Sequence, residues 1–173
     1  MSKKDFENLL KKHQTESEKN AIDWDARKKE WLEFINVFYK KIENWLEPYK
    51  QQGTVSYTYK NVSITEEFIG TYDVRVMTII FAEQKLTLEP LGTLLIGTKG
   101  RIDMDGVMGR VQFILADKDI TEIKFSSDAS SQKEKEKKPD WTWKIVLRDS
   151  RKISFVEFNE INFFDSIMEV VNG

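Results

Sequence analysis

Apolar residues recur at helical spacing in the first third of the chain, at every second position through its middle, and at helical spacing again at its end. The strongest pattern lies in residues 22–51. Trp24, Trp31, Phe38 and Trp45 recur every seven residues, and Ile35, Ile42 and Tyr49 follow the last three of them by four. The remaining face is charged. This spacing predicts an amphipathic helix with Asp23 as its N-cap and with Pro48 and Gly53 marking its end. Indole rings are too bulky for the seam of a two-stranded coiled coil, which prefers β-branched residues. The stripe is therefore expected to pack on the chain's own sheet, with a dimerising coiled coil as the alternative. Before it, Phe6, Leu9 and Leu10 share one face of a weaker helix in a polar segment, residues 1–21, expected to fray and move.

From Gly53 the period changes to two. Val55, Tyr57 and Tyr59 alternate with polar residues, and Val62, Ile64, Glu66 and Phe68 continue after a bend at Lys60-Asn61. Beyond a break at Gly70-Thr71, Tyr72, Val74, Val76 and Ile80 line one face of the next run, while Met77, Ile79 and Phe81 take the other. Glu83-Gln84 reads as a tight turn, and Pro90 as the stop of the strand holding Leu86 and Leu88. In the stretch 92–110 five of the eight glycines gather around Leu94-Leu95-Ile96 and a hairpin turn at Asp105-Gly106. Val111, Phe113 and Leu115 return the chain to a turn at 117–119, and Ile123 and Phe125 make a short strand. Residues 126–140 hold no large apolar side chain and read as a flexible loop. Trp141, Trp143, Ile145 and Leu147 form a strand, 153–155 another, and Phe158 to Val171 a C-terminal helix.

Short links between successive strands favour antiparallel pairing. The expected fold is α+β, in one domain over 22–173. It has a long N-terminal helix (22–51), a curved antiparallel sheet or partly open barrel of about seven to nine strands (53–156) and a helix at 157–172. About seven strands ahead of a C-terminal helix, over 53–173, resemble the pleckstrin-homology-like superfold in element order alone. No motif accompanies that resemblance, and it implies no function.

Composition narrows the chemistry. Of 173 residues 40% are hydrophobic and 21 aromatic (11 Phe, 5 Trp, 5 Tyr), enough for a real core. A net charge of −2 offers no electrostatic case for nucleic acid or an anionic membrane. No apolar run has transmembrane or signal-peptide length, so a cytoplasmic protein is expected and the Asn61-Val62-Ser63 sequon is a chance match. Cysteine is absent, which excludes disulfides and thiolate chemistry. His13 is the only histidine, in a polar segment, so neither a histidine-based triad nor a multi-histidine metal site is expected, and no cofactor is implied.

Two candidate sites remain. Arg101 and Arg110 are expected to face each other across the hairpin, near Lys99, with Asp103 or a bound anion or a partner's carboxylate between them. Asp103, Asp105, Asp117 and Asp119 read as turn aspartates at two ends of one hairpin rather than a metal cluster. Trp24, Trp31, Trp45, Trp141 and Trp143 are the candidates for an interface, with core packing as the plainer role for Trp141 and Trp143. The sum favours a non-enzymatic cytoplasmic protein-interaction module, binding a protein partner or another copy of itself. The alternatives are a carboxylate- and arginine-based enzyme acting on an anionic or phosphorylated substrate, and a carrier of a small apolar ligand.

Overall fold

A computed structural model of the chain describes residues 2–19, 23–93, 99–120, 122–124, 140–148 and 151–172. The short run at 94–96 and the loop read at 126–140, except Asp140, lie outside the described residues. The elements in chain order are α1 (Lys3–Lys19), α2 (Trp24–Gln51), β1 (Val55–Glu66), β2 (Gly70–Phe81), β3 (Gln84–Gly92), β4 (Gly100–Gly106), β5 (Gly109–Asp117), β6 (Glu122–Lys124), β7 (Trp141–Arg148), β8 (Lys152–Glu157) and α3 (Glu160–Asn172). The strands form one open antiparallel sheet in the order β1-β2-β3-β4-β5-β7-β8-β6. This is the α+β arrangement that the change of period announces.

Asp23 caps α2 by accepting from Ala26 N at 3.0 Å. Pro48 sits inside the helix, which runs one turn further than its proline suggests. The stop is made by Gly53, whose left-handed φ of 76° lets Thr54 N return to Tyr49 O at 3.0 Å. The buried face is Trp31, Ile35, Phe38, Tyr39, Ile42 and Leu46. Those spacings follow the 3.6-residue turn of a straight helix rather than a seven-residue repeat. Tyr49 thus rotates into solvent, and α2 packs on its own sheet. Phe38 is the hub: its ring stacks on Phe158 at 4.7 Å, lies edge-on to Phe113 at 5.1 Å and tilts against Trp143 at 4.9 Å.

The β1–β2 ladder is unbroken from Val55↔Phe81 to Glu66↔Gly70. Burial nevertheless changes side midway, from Tyr59 and Met77 to Val62 and Val74, so the hairpin twists where a bend is read at Lys60-Asn61. β2 pairs with β3 only as far as Met77↔Leu88, and beyond that the two strands part. The Tyr39 hydroxyl sits at the fork and donates to Arg75 O (2.6 Å) and Leu88 O (3.2 Å). Burial pushes its pKa up, so it stays the proton donor that both carbonyls share. Pro90 does not stop β3. It falls past the fork, where no partner on the β2 side needs its missing N–H, and the strand continues through an irregularity between Pro90 and Gly92.

Two tight turns lie away from where their dipeptides suggest. Phe81↔Gln84 closes the β2–β3 hairpin around Ala82-Glu83, both with positive φ (47° and 61°). This two-residue geometry favours Asn-Gly, because an L side chain in the left-handed region costs about 1–2 kcal/mol. Both side chains are exposed. The double substitution Ala82→Asn with Glu83→Gly is therefore expected to stabilise the protein by about 1–2 kcal/mol in urea unfolding. An unchanged midpoint would show the turn to be unstrained. The second displaced turn is that between β4 and β5. Gly106↔Gly109 closes it around Val107-Met108, so Asp105-Gly106 belong to the strand. Gly106 serves the approach of α3 instead: a Cβ there would lie 2.6 Å from Val170 O.

Candidate functional site

Alternation along β4 sends Ile102 and Met104 into the core and Arg101, Asp103 and Asp105 to the opposite face of the sheet. On β5, Val111, Phe113 and Leu115 face the core, leaving Arg110 and Gln112 beside the β4 acids. A turn centred on Asp105-Gly106 would set Arg101 opposite Arg110. The actual turn lies two residues later, which shifts the pairing by four and places Asp105 opposite Arg110 and Arg101 opposite Ile114. The two arginines therefore do not face each other, yet both reach Asp103. Arg110 Nη1 lies 3.4 Å from Asp103 Oδ2, and Arg101 Nε lies 3.0 Å from Oδ1. The second contact is an ion pair without hydrogen-bond alignment, since among the described residues neither Arg101 Nε nor Asp103 Oδ1 has a hydrogen-bond partner. Arg110 also grips Asp105, with Nε to Oδ1 at 2.6 Å and Nη2 to Oδ2 at 3.4 Å.

The acid required between the arginines is thus part of the chain. Asp103 is only 2% exposed. Burial, helped by the nearby Asp105 and Glu89 charges, raises its pKa above the ordinary 3.8 despite both guanidinium groups. A carboxylate sealed beneath two guanidinium groups has no open face for a substrate proton. Beside it, Arg110, Gln112, Arg148 and Glu169 line a half-open groove of about 330 Å³, from which Asp103 is absent. Arg148 donates to Gln112 Oε1 across that groove at 2.8 Å.

The raised pKa fixes a pH dependence. The stability linked to protonated Asp103 is fully present below the unfolded value, near 3.8, and is lost as pH rises through the higher folded value. Asp103→Asn removes this term. The stability of the parent relative to the variant is expected to be greatest at about pH 3 and to shrink toward about pH 7. Urea unfolding of both proteins across that range measures it, and a gap that widens with pH would contradict the desolvation of this carboxyl.

Lys99 is not part of this cluster. Its ammonium pairs with Glu30 on α2 at 2.7 Å and lies 5.2 Å from the centre of the Trp141 ring. Asp117 is a turn residue, accepting from Asp119 N at 3.1 Å. The five tryptophans separate by role. Trp31 and Trp143 are core, 5.8 Å apart, and Trp143 Nε1 donates to Phe34 O at 2.9 Å. Trp45 is half-buried against Phe158 and Phe163. Trp24 and Trp141 alone keep substantial edges outside the core, and Trp24 is stacked by Phe68 at 5.3 Å.

Two apolar surfaces carry more promise than the tryptophans. Every residue from Ser2 to Gln14 on α1 is exposed, and its stripe of Phe6, Leu9 and Leu10 is 61%, 63% and 53% accessible. Ser2 and Asp5 cap the start of this helix reciprocally: Asp5 Oδ2 accepts from Ser2 N at 3.1 Å, and Asp5 N donates to Ser2 Oγ at 3.4 Å. The second surface is an almost wholly apolar groove of about 240 Å³ between the end of α2, the β1–β2 pair and α3. Leu46, Tyr49, Val55, Phe81, Phe164 and Met168 line it. The α1 stripe is visible as spacing in the sequence. The groove is not, because it sets α3 against α2, β1 and β2, which lie far from it along the chain.

Among the described residues no group of three or more Asp, Glu and His side chains could hold a metal ion, and no helix is long and apolar enough to cross a membrane. Comparison with protein-family models, curated proteins and solved structures finds no match for this chain, so the likeness to the pleckstrin-homology-like superfold remains one of element order.

Proposed function

We propose that the protein is a non-enzymatic protein-interaction module, an α+β body that displays α1 as its binding element. The observation that carries this reading is the exposed Phe6, Leu9 and Leu10 stripe. An isolated helix of this length is marginal in water, and most helical stability comes from covering an apolar face. A partner that buries the stripe supplies that cover in the helix-in-groove manner. The enzyme alternative is weakened by Asp103, which is buried beneath the arginines that such a mechanism would need free. The carrier alternative is weakened by size, since the apolar groove of about 240 Å³ is smaller than the roughly 300–1,000 Å³ of ordinary ligand sites. A cytoplasmic setting belongs to the same proposal and rests on composition.

The test is affinity capture from the source cells with the full chain and with a Phe6→Ser, Leu9→Ser, Leu10→Ser variant. The parent is expected to retain a stoichiometric protein that the variant loses, with equal melting temperatures for the two baits. Identical capture by both would remove α1 from the binding role.

A further inference from the structure

Resting on that reading of α1, we infer that its partner is a second copy of this chain, and that its apolar stripe docks into the groove between α2, the β1–β2 pair and α3 of that copy. The two surfaces match in kind. The groove is lined by Leu46, Tyr49, Val55, Phe81, Phe164 and Met168 and is nearly devoid of polar surface. The stripe offers a phenylalanine and two leucines at i, i+3 and i+4, the anchor spacing of a helix laid in a groove. They also match in charge. α3 carries Glu160 and Asp165 besides Glu169, which lines the Arg110–Arg148 groove instead, and it has no base. The first three turns of α1 carry Lys3, Lys4, Lys11 and Lys12 against Asp5 and Glu7. A helix C-terminus favours nearby cations, and α3 has no basic residue in its last turn.

Chain length points to docking between copies rather than within one. At 1.5 Å per residue, Leu46 and Tyr49 lie about 33–38 Å along α2 from Trp24. Leu10 and Phe6 lie only about 14–20 Å back along α1 from Lys19. The residues between the helices span at most about 17 Å when fully extended, and folding back requires them to reverse direction as well. End to end these lengths come level with the groove, but the step of about 8–10 Å between packed helices cuts the reach along α2 to about 28–34 Å. At most the Phe6 end touches the near edge of its own groove, whereas a two-fold pair of chains sets each whole stripe against the other's groove. That contact is isologous and closes on itself.

The experiment is analytical ultracentrifugation of the purified full chain from about 1 to about 200 µM, with Leu9→Glu and Tyr49→Glu variants. Leu9 and Tyr49 are both exposed in the single chain, so neither change disturbs the core, and equal melting temperatures verify this. The parent is expected to dimerise with rising concentration, and each variant to dimerise at least about tenfold more weakly. Mixing the two variants is the decisive arm. The intact α1 of the Tyr49→Glu chain meets the intact groove of the Leu9→Glu chain, so the mixture is expected to associate more tightly than either variant alone. A parent that stays monomeric, a dimer indifferent to both changes, or a mixture that recovers nothing each overturns the inference. If the parent is monomeric but its stripe still captures a cellular protein, the module reading stands and self-association falls.

Discussion

Phe38→Ala is expected to lower the free energy of unfolding by about 3–5 kcal/mol, the range for emptying a buried aromatic site. Phe38 is fully buried, and its ring meets Tyr39, Phe113, Trp143 and Phe158 at 4.7–5.7 Å between centroids. Those partners belong to α2 itself, β5, β7 and the residues leading into α3, so the ring ties both helical segments to the sheet at one point. Each aromatic pair contributes about 0.5–1.5 kcal/mol beyond area burial. The site has little freedom to collapse, because Trp143 is fixed by its bond to Phe34 O and Phe113 by the β4 and β7 ladders. Domains of this kind hold only about 5–15 kcal/mol in all, so the change removes a large share. Urea unfolding monitored by tryptophan fluorescence measures it, with a lower midpoint at unchanged slope. Trp24→Ala is the matched control: Trp24 is only half-buried and outside the core cluster, and its stacking partner Phe68 lies at a hairpin tip. Equal losses from the two substitutions would place the centre of the core elsewhere.

Much of this core is legible in the sequence because period alone carries it. The change from helical to alternating spacing near residue 53 follows from which side chains must turn inward, and α2 and β1 meet there. What the pattern conceals is rotation and register. Seven-residue recurrence of Trp24, Trp31, Phe38 and Trp45 points to a narrow seam, but a straight helix drifts from that repeat, and Tyr39 and Leu46 are buried while Tyr49 is exposed. Register at the β4–β5 hairpin is hidden for a different reason. Asp105-Gly106 is the better turn dipeptide, yet the glycine is taken up by close contact with α3, where Met108 N also donates to Val170 O at 2.8 Å. Tertiary contact thus overrides local turn preference and moves Arg110 from Arg101 to Asp105. The choice of Asp103 as the shared acid could be read from alternation. The distance of Lys99 from it could not, because that depends on where Glu30 and Trp141 lie.

Gly100 shows the same override with a larger penalty. In sequence it reads as one of several bend-forming glycines. In the fold it opens β4, pairs with Leu115 and lies against the face of Trp31. A Cβ at this position would stand 2.2 Å from Trp31 Cζ3 and 2.6 Å from Cε3. Trp31 is 1% exposed and wedged against Trp143, and a rigid indole cannot yield as the end of a flexible chain does. Overpacking a core typically costs about 1–3 kcal/mol and occasionally more. With ring and backbone both held, Gly100→Ala is expected to cost about 3 kcal/mol or more. Gly53→Ala separates this from backbone strain: that glycine has a φ of 76° but open space around it, so it should lose only about 1–2 kcal/mol. The mechanism is checked by a double-mutant cycle with Trp31→Phe, which removes part of the obstructing ring. The Gly100→Ala, Trp31→Phe pair is expected to be more stable than the sum of the single losses, with a coupling of about 1–3 kcal/mol. Strict additivity, or a Gly100→Ala protein as stable as its parent, would mean that Trp31 has room to move and that α2 is not pinned to β4 through this contact.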